Sequence, residues 1–148
     1  MSQYLLVMLW MGSIYIISKM TNVYKEEYVC GKKEVRVTWG FALLCVIPLI
    51  YWAATRNTWF GDTSVYLGNF KEFPNTFAEI PEYMTGIEKD KGFWIFAIII
   101  KMFIGNNPTL YLGIWATIHM SVLALVFRKY SSNFVMALFL FVATGDYL

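Results

Sequence analysis

Uncharged, apolar stretches about as long as a bilayer is thick constrain this chain more than any other feature. A helix rises 1.5 Å per residue, so crossing about 30 Å of hydrocarbon takes roughly 20 predominantly apolar residues. Residues 1–18, 37–54 and 109–127 approach that length without an Asp, Glu, Lys or Arg. No basic segment precedes the first run and no small-residue cleavage site follows it, so it reads as a retained span rather than a signal peptide. Pro48 in the second run removes a backbone donor and predicts a kink. Residues 93–105 are short for a span and carry Lys101, which favours a re-entrant or interfacial helix. Residues 133–144 are also short and predict a final partial span. The expected fold is therefore all-α, a polytopic transmembrane helical protein with three full spans, forming one transmembrane domain over residues 1–148.

Composition supports the membrane reading. The chain is 58% hydrophobic and 15% charged, whereas soluble domains are nearer 45–50% apolar. Its formal charge of +2 is too small to suggest binding to nucleic acid through phosphate neutralisation. Cys30 lies in a charged loop and Cys45 in an apolar run, so they do not make a disulfide framework. A single histidine and the absence of CxxC or HExxH spacing leave no self-contained zinc site, and no other cofactor is expected.

Orientation follows from the basic residues. Residues 19–36 hold Lys19, Lys25, Lys32, Lys33 and Arg36, which assigns this loop to the cytoplasm. The connection over residues 55–92 then lies outside, with six acids against four bases. A re-entrant segment 93–105 returns Arg128 and Lys129 to the cytoplasmic side, as the charge bias prefers. An outer loop of this length exceeds what a connection needs, and long loops carry function.

The informative string within it runs from Arg56 through Trp59, Gly61, Asp62, Thr63 and Ser64 to Tyr66, just beyond the second span. Asp62 is either the N-cap of a short helix, on which Asp62, Tyr66 and Phe70 share a face, or a carboxylate with a chemical task. Arg56 either snorkels to headgroup phosphates or clamps a phosphate of a specific ligand. Glu88 and Asp90 superficially resemble an acidic metal motif, but a solvated charge run explains them and no metal is assigned. In the third long run, Gly113, Thr117 and Ser121 form a small-residue packing stripe roughly opposite His119. His119 reads as a neutral, hydrogen-bonded group and Lys101 as a snorkelling one.

The ordered set Arg56, Gly61, Asp62, Thr63 and Tyr66, after two apolar runs divided by a basic loop, resembles the EpsG family of Wzy-like bacterial polysaccharide polymerases. Asp90-Lys91-Gly92-Phe93 is similar to the family's acidic-x-Gly-aromatic step, although Asp replaces the more usual Glu. Residues 128–133, Arg-Lys-Tyr-Ser-Ser-Asn, are similar to its basic-Tyr-Ser-x-Asn loop, and Tyr147 falls near a Tyr common at the end of the next span. The family is usually more than twice as long, which implies an N-terminal part of a longer polymerase, inactive alone.

The resemblance implies transfer of a growing glycan from a polyprenyl-pyrophosphate carrier to a hydroxyl of another lipid-linked repeat unit, at the outer face of the bacterial cytoplasmic (inner) membrane. Arg56, Asp62 and Asp90 become the candidate catalytic residues. Thr63, Tyr66, Trp59 and Tyr147 become candidate substrate-binding residues. The implied partners are the polyprenyl-pyrophosphate-linked oligosaccharide, the lipid bilayer and other glycan assembly proteins. Two rival readings are a non-enzymatic module of a glycan assembly or export complex, and a flippase or transporter component relying on His119 and Lys101.

Overall fold

The computed structural model describes residues 2–29, 31–59 and 61–144; Cys30 and Tyr147 lie outside the described residues. The chain is mostly helical. Its elements are α1 (Ser2–Met20), β1 (Tyr24–Val29), β2 (Lys32–Val37), α2 (Trp39–Ala54), α3 (Thr63–Glu72), a 3-10 turn (Phe77–Glu79), α4 (Ile80–Thr85), α5 (Lys91–Ile104), α6 (Pro108–Tyr130) and α7 (Phe134–Ala143). α1, α2, α5, α6 and α7 coincide with the expected apolar runs to within about three residues, whereas α3 and α4 lie within the connection over residues 55–92. Local chemistry sets several of their ends. The side chain of Asn107 accepts from Leu110 N at 3.1 Å ahead of α6, whose first residue is Pro108, a residue that needs no donor there. Asn133 likewise accepts from Met136 N at 3.1 Å to open α7. Gly105, at φ 64°, ends α5 in a conformation that a β-carbon would oppose.

The expectation of an all-α protein needs one correction. The basic segment read as a loop contains an antiparallel hairpin in which Tyr24 pairs with Val37 and Val29 with Lys32. Charged and apolar residues alternate over Glu34-Val35-Arg36-Val37, which is strand periodicity, and Gly31 at φ 78° makes the tight turn.

Two compact units divide the chain. The first comprises residues 1–52 and 116–148, the second residues 53–115. In the first unit α1 packs along α7. Val7, Met11, Ile14 and Ser18 form its buried stripe at helical spacing, while Leu5, Leu6, Leu9, Ile16 and Ile17 remain exposed. Phe41, Cys45 and Leu49 of α2 and Leu138 and Val142 of α7 are also buried. The Trp10 indole donates to the Cys45 carbonyl at 3.3 Å, tying α1 to α2.

Exposed apolar side chains recur on α2 (Leu43, Leu44, Ile47), α6 (Val122, Leu125, Val126) and α7 (Met136, Leu140). Among the described residues, α6 is the one helix both long and apolar enough to cross a membrane; the apolar stretches Leu5–Met20, Trp39–Ala54 and Phe134–Ala143 are shorter. The small-residue stripe survives only in part. Gly113 faces Ala54, where an added β-carbon would meet that methyl at 3.5 Å, whereas Thr117 and Ser121 are exposed.

The second unit is built on aromatic packing. Phe70 and Phe73 at the end of α3 join Ala97, Ile98 and Ile100 of α5 and Tyr111 and Leu112 of α6 in one buried cluster. Phe70 stacks on Tyr111 with centroids 4.4 Å apart, and Phe93 stacks on Trp115 at 4.9 Å. Such contacts add about 0.5–1.5 kcal/mol each beyond burial of their area.

Candidate functional site

The starts of α3 and α5 come together in the second unit, and Asp62, Thr63, Tyr66 and Asp90 lie at them. Two contacts fix the direction of these helices. Tyr66, in the first turn of α3, meets Phe93, in the first turn of α5, edge to face at 6.4 Å. At the other end Lys101, in the last turn of α5, donates from Nζ to the carbonyls of Lys71 at 3.1 Å and Phe73 at 2.7 Å, at the end of α3. The helices therefore run parallel, with their N-termini at the same end of the pair. Those termini present partial positive charge together. Asp62 precedes one and Asp90 the other.

Asp62 behaves differently from a simple cap. It occupies the N-cap position of α3 and its backbone carbonyl accepts from Tyr66 N at 3.0 Å, yet its carboxylate makes no cap hydrogen bond and is exposed. Asp90, also exposed and without a side-chain cap bond, sits in the left-handed region at φ 54°. It is the one non-glycine residue with positive φ among the described residues. Asp tolerates this region better than most residues, but the conformation still costs free energy and turns the carboxylate away from the usual cap geometry.

Upstream, Asn57 accepts from Thr58 Oγ1 at 3.2 Å and Trp59 N at 3.4 Å, a local turn that leaves Trp59 91% exposed. Arg56 is half-buried, and its Nε is buried with no hydrogen-bond partner. Thr63 is 1% exposed, and its Oγ1 likewise has no partner. Buried polar groups are nearly always paired, and an orphan forfeits about 1–3 kcal/mol. Arg56 Nε and Thr63 Oγ1, within eight residues of sequence ahead of and at the first position of α3, are donors that no protein acceptor satisfies. Tyr66 is 40% exposed beside Phe93. Tyr147 lies outside the described residues.

Acidic side chains on the same unit are ordered without a metal. Glu79 accepts from Asn75 N at 3.2 Å, and the Thr76 hydroxyl, with that amide, holds its carboxyl below the usual carboxylate range. Burial, with the nearby Glu72 charge, pushes the Tyr83 phenol up. Among the described residues no group of three or more His, Cys, Asp or Glu side chains could hold a metal ion.

The EpsG family model matches residues 40–148, the greater part of the chain. The chain belongs to the EpsG family. No curated protein and no solved structure matches it. The match takes in Arg56 to Tyr66, the step at Asp90 and the loop over residues 128–133, and it begins after the hairpin. Membership of the EpsG family associates the chain with polysaccharide biosynthesis and with a membrane.

In this EpsG protein Lys101 departs from the snorkelling role expected of it. Lys101 neither snorkels nor pairs with a carboxylate; it is 2% exposed, with its ammonium 5.6 Å from the Phe70 ring centre. There it satisfies the carbonyls left over at the end of α3, where the helix dipole favours a cation. The signal was a single Lys in an apolar run, since such a charge must find acceptors nearby. Lys101→Met should lower the stability of the second unit by about 1–2 kcal/mol, because orphaned carbonyls outweigh the relief of an unburied charge. Thermal unfolding of the purified protein measures this, and an unchanged midpoint would mean the carbonyls have other donors.

Proposed function

We propose that this protein joins polyprenyl-pyrophosphate-linked oligosaccharides into longer chains at the outer surface of the bacterial cytoplasmic membrane. The observation that carries the reading is the pair of buried, unpartnered donors, Arg56 Nε in the loop that leads into α3 and Thr63 Oγ1 at its first residue. A pyrophosphate offers the oxygens such donors lack. In the reaction a hydroxyl oxygen of one repeat unit attacks the anomeric carbon of another glycan. The bond from that carbon to pyrophosphate breaks, and the hydroxyl proton passes to a carboxylate. Arg56, with the two helix N-termini, stabilises negative charge on the departing pyrophosphate. Asp62 or Asp90 takes the proton. Trp59 and Tyr66 offer ring faces to sugars, and Tyr147 remains a candidate contact.

A multi-pass arrangement belongs to the same reading. The exposed faces of α1, α2, α6 and α7 are apolar and suit acyl chains. α5, at 14 residues, is about 21 Å long, which fits a helix that enters the bilayer and returns rather than one that crosses it. With the basic hairpin in the cytoplasm, residues 55–92 face outward, where the lipid-linked substrate would lie.

Asn substitutions at the two carboxylates test the proton transfer. Asp62→Asn or Asp90→Asn, whichever removes the base, should slow polymerisation by about 10²–10⁴-fold while the other changes it little. Chain length of the surface glycan, resolved on gels from cells expressing each variant, reads this out. Long-chain polymer from both variants at normal membrane levels would remove both aspartates from the mechanism.

A further inference from the structure

The first unit contains a second polar site, remote in sequence from the loop just described. A cleft of about 390 Å³ lies where α1, β1 and the start of α7 meet. Ser18 and Lys19 from the end of α1, Thr21 and Asn22 from the connection, Tyr24 from β1 and Ser132 and Asn133 ahead of α7 line it. Every lining side chain is polar, one is a cation and none is an acid.

Some of these groups are already committed. The Ser18 hydroxyl donates to the Tyr15 carbonyl at 2.7 Å and the Thr21 hydroxyl to the Ile17 carbonyl at 2.6 Å. Tyr24 donates to Asn133 Oδ1 at 3.4 Å. The donors left over are the Lys19 ammonium, the amide groups of Asn22 and Asn133, and the Ser132 hydroxyl. The Lys19 ammonium lies 5.5 Å from the centre of the Tyr15 ring.

The surrounding charge points the same way. Each acid of the hairpin is taken: Glu26 by Lys33 at 2.6 Å, Glu34 by Arg36 and Glu27 by Arg128. Lys19, Lys25, Lys32 and Lys129 keep no carboxylate partner among the described residues, so this end of the unit carries uncompensated positive charge. The N-terminus of α7 adds its partial positive charge beside Asn133. A polyol would use these donors without needing the charge; a carboxylate would use fewer of them. A phosphate, with several oxygens around one centre, accepts from an ammonium, a hydroxyl and amides at once.

We propose that this cleft binds a phosphate ester, with Lys19 and Ser132 as its principal ligands. Two sources carry that chemistry: the headgroup of an anionic phospholipid and a soluble phosphate. Lys19 closes an apolar helix, which places the cleft at headgroup level if α1 lies in the bilayer. The site stands apart from the polymerisation reading, since its readout is binding and not glycan length.

The full-length protein, purified in an uncharged detergent, is titrated separately with dioleoylphosphatidylglycerol, dioleoylglycerol and inorganic phosphate. Native mass spectrometry follows the lipids and equilibrium dialysis follows phosphate. Saturable binding of phosphatidylglycerol or phosphate, weakened about tenfold by Lys19→Gln or Ser132→Ala and retained in Lys19→Arg and Lys32→Gln, is the expected result. Both substituted positions are exposed, so the variants should keep the wild-type unfolding midpoint. Lipid binding that inorganic phosphate does not displace identifies the headgroup as the source; binding of phosphate alone identifies a soluble ester. Equal binding of dioleoylglycerol, wild-type affinity in both Lys19→Gln and Ser132→Ala, or no binding of either phosphate compound would overturn the proposal.

Discussion

Arg128→Ala should destabilise the first unit by about 3 kcal/mol, the largest loss of stability expected from any single truncation described above. Three interactions meet on this guanidinium, which is 7% exposed near the end of α6. Its Nε donates to the Val37 carbonyl at 2.8 Å, a second nitrogen pairs with the Glu27 carboxylate, and its carbon lies 4.1 Å from the Trp39 ring centre. The contacts fasten both strands of the hairpin and the first residue of α2 to α6. Truncation leaves the Val37 carbonyl without its donor and Glu27 without its cation. Breaking a buried pair costs about 3–5 kcal/mol, and the lower end applies because the Glu27 side chain is 38% exposed. Arg128→Lys should recover only part, since an ammonium cannot match the planar fork or stack on indole. Thermal or denaturant unfolding of the purified protein measures both variants. An unchanged midpoint in Arg128→Ala would show that the hairpin is held by other means.

Arg56→Ala should reduce polymerisation by about 10²–10³-fold, comparable to removing one preorganised donor from a site of developing negative charge. The same substitution should leave stability unchanged or slightly raised, because it deletes a buried N–H that makes no hydrogen bond in the folded chain. This opposition separates a chemical role from a structural one: a framework arginine such as Arg128 loses stability first and activity as a result. Arg56→Lys should keep part of the rate, since it retains the charge and loses the bidentate geometry. Glycan chain length in cells and unfolding of the purified variant together give the comparison. Normal glycan length with normal membrane abundance in Arg56→Ala would dismiss the pyrophosphate role, whereas equal losses of stability and activity would make Arg56 a structural residue.

Hydrophobic run length alone located α1, α2, α6 and α7, because apolar stretches bounded by Asn133, by Asn107-Pro108 or by charge have few alternatives. The hairpin was hidden for a different reason. Residues 24–37 are so rich in charge that they read as a topological marker, and a period of two shows only over Glu34 to Val37, after the turn at Gly31. Charge count and strand periodicity are separate signals in the same residues, and the charge masks the short alternation. The helix after Asp62 was legible from its composition. The free carboxylate on it was not, since a residue type that favours N-caps does not reveal whether its side chain turns inward.

What the sequence by itself determined is the set of apolar helices and the family: apolar runs dictate helices that seek lipid or one another, and the Arg56 to Tyr66 string carries the family relationship. What only the tertiary structure decided is which groups are spent on holding the fold and which remain available. Lys101 and Arg128 are both cations close to apolar runs, yet packing gives each of them backbone carbonyls to satisfy. Arg56 Nε and Thr63 Oγ1 receive no such partner. That difference depends on contacts between residues far apart in the chain, which no local spacing encodes, and it distinguishes a structural cation from a candidate ligand for substrate.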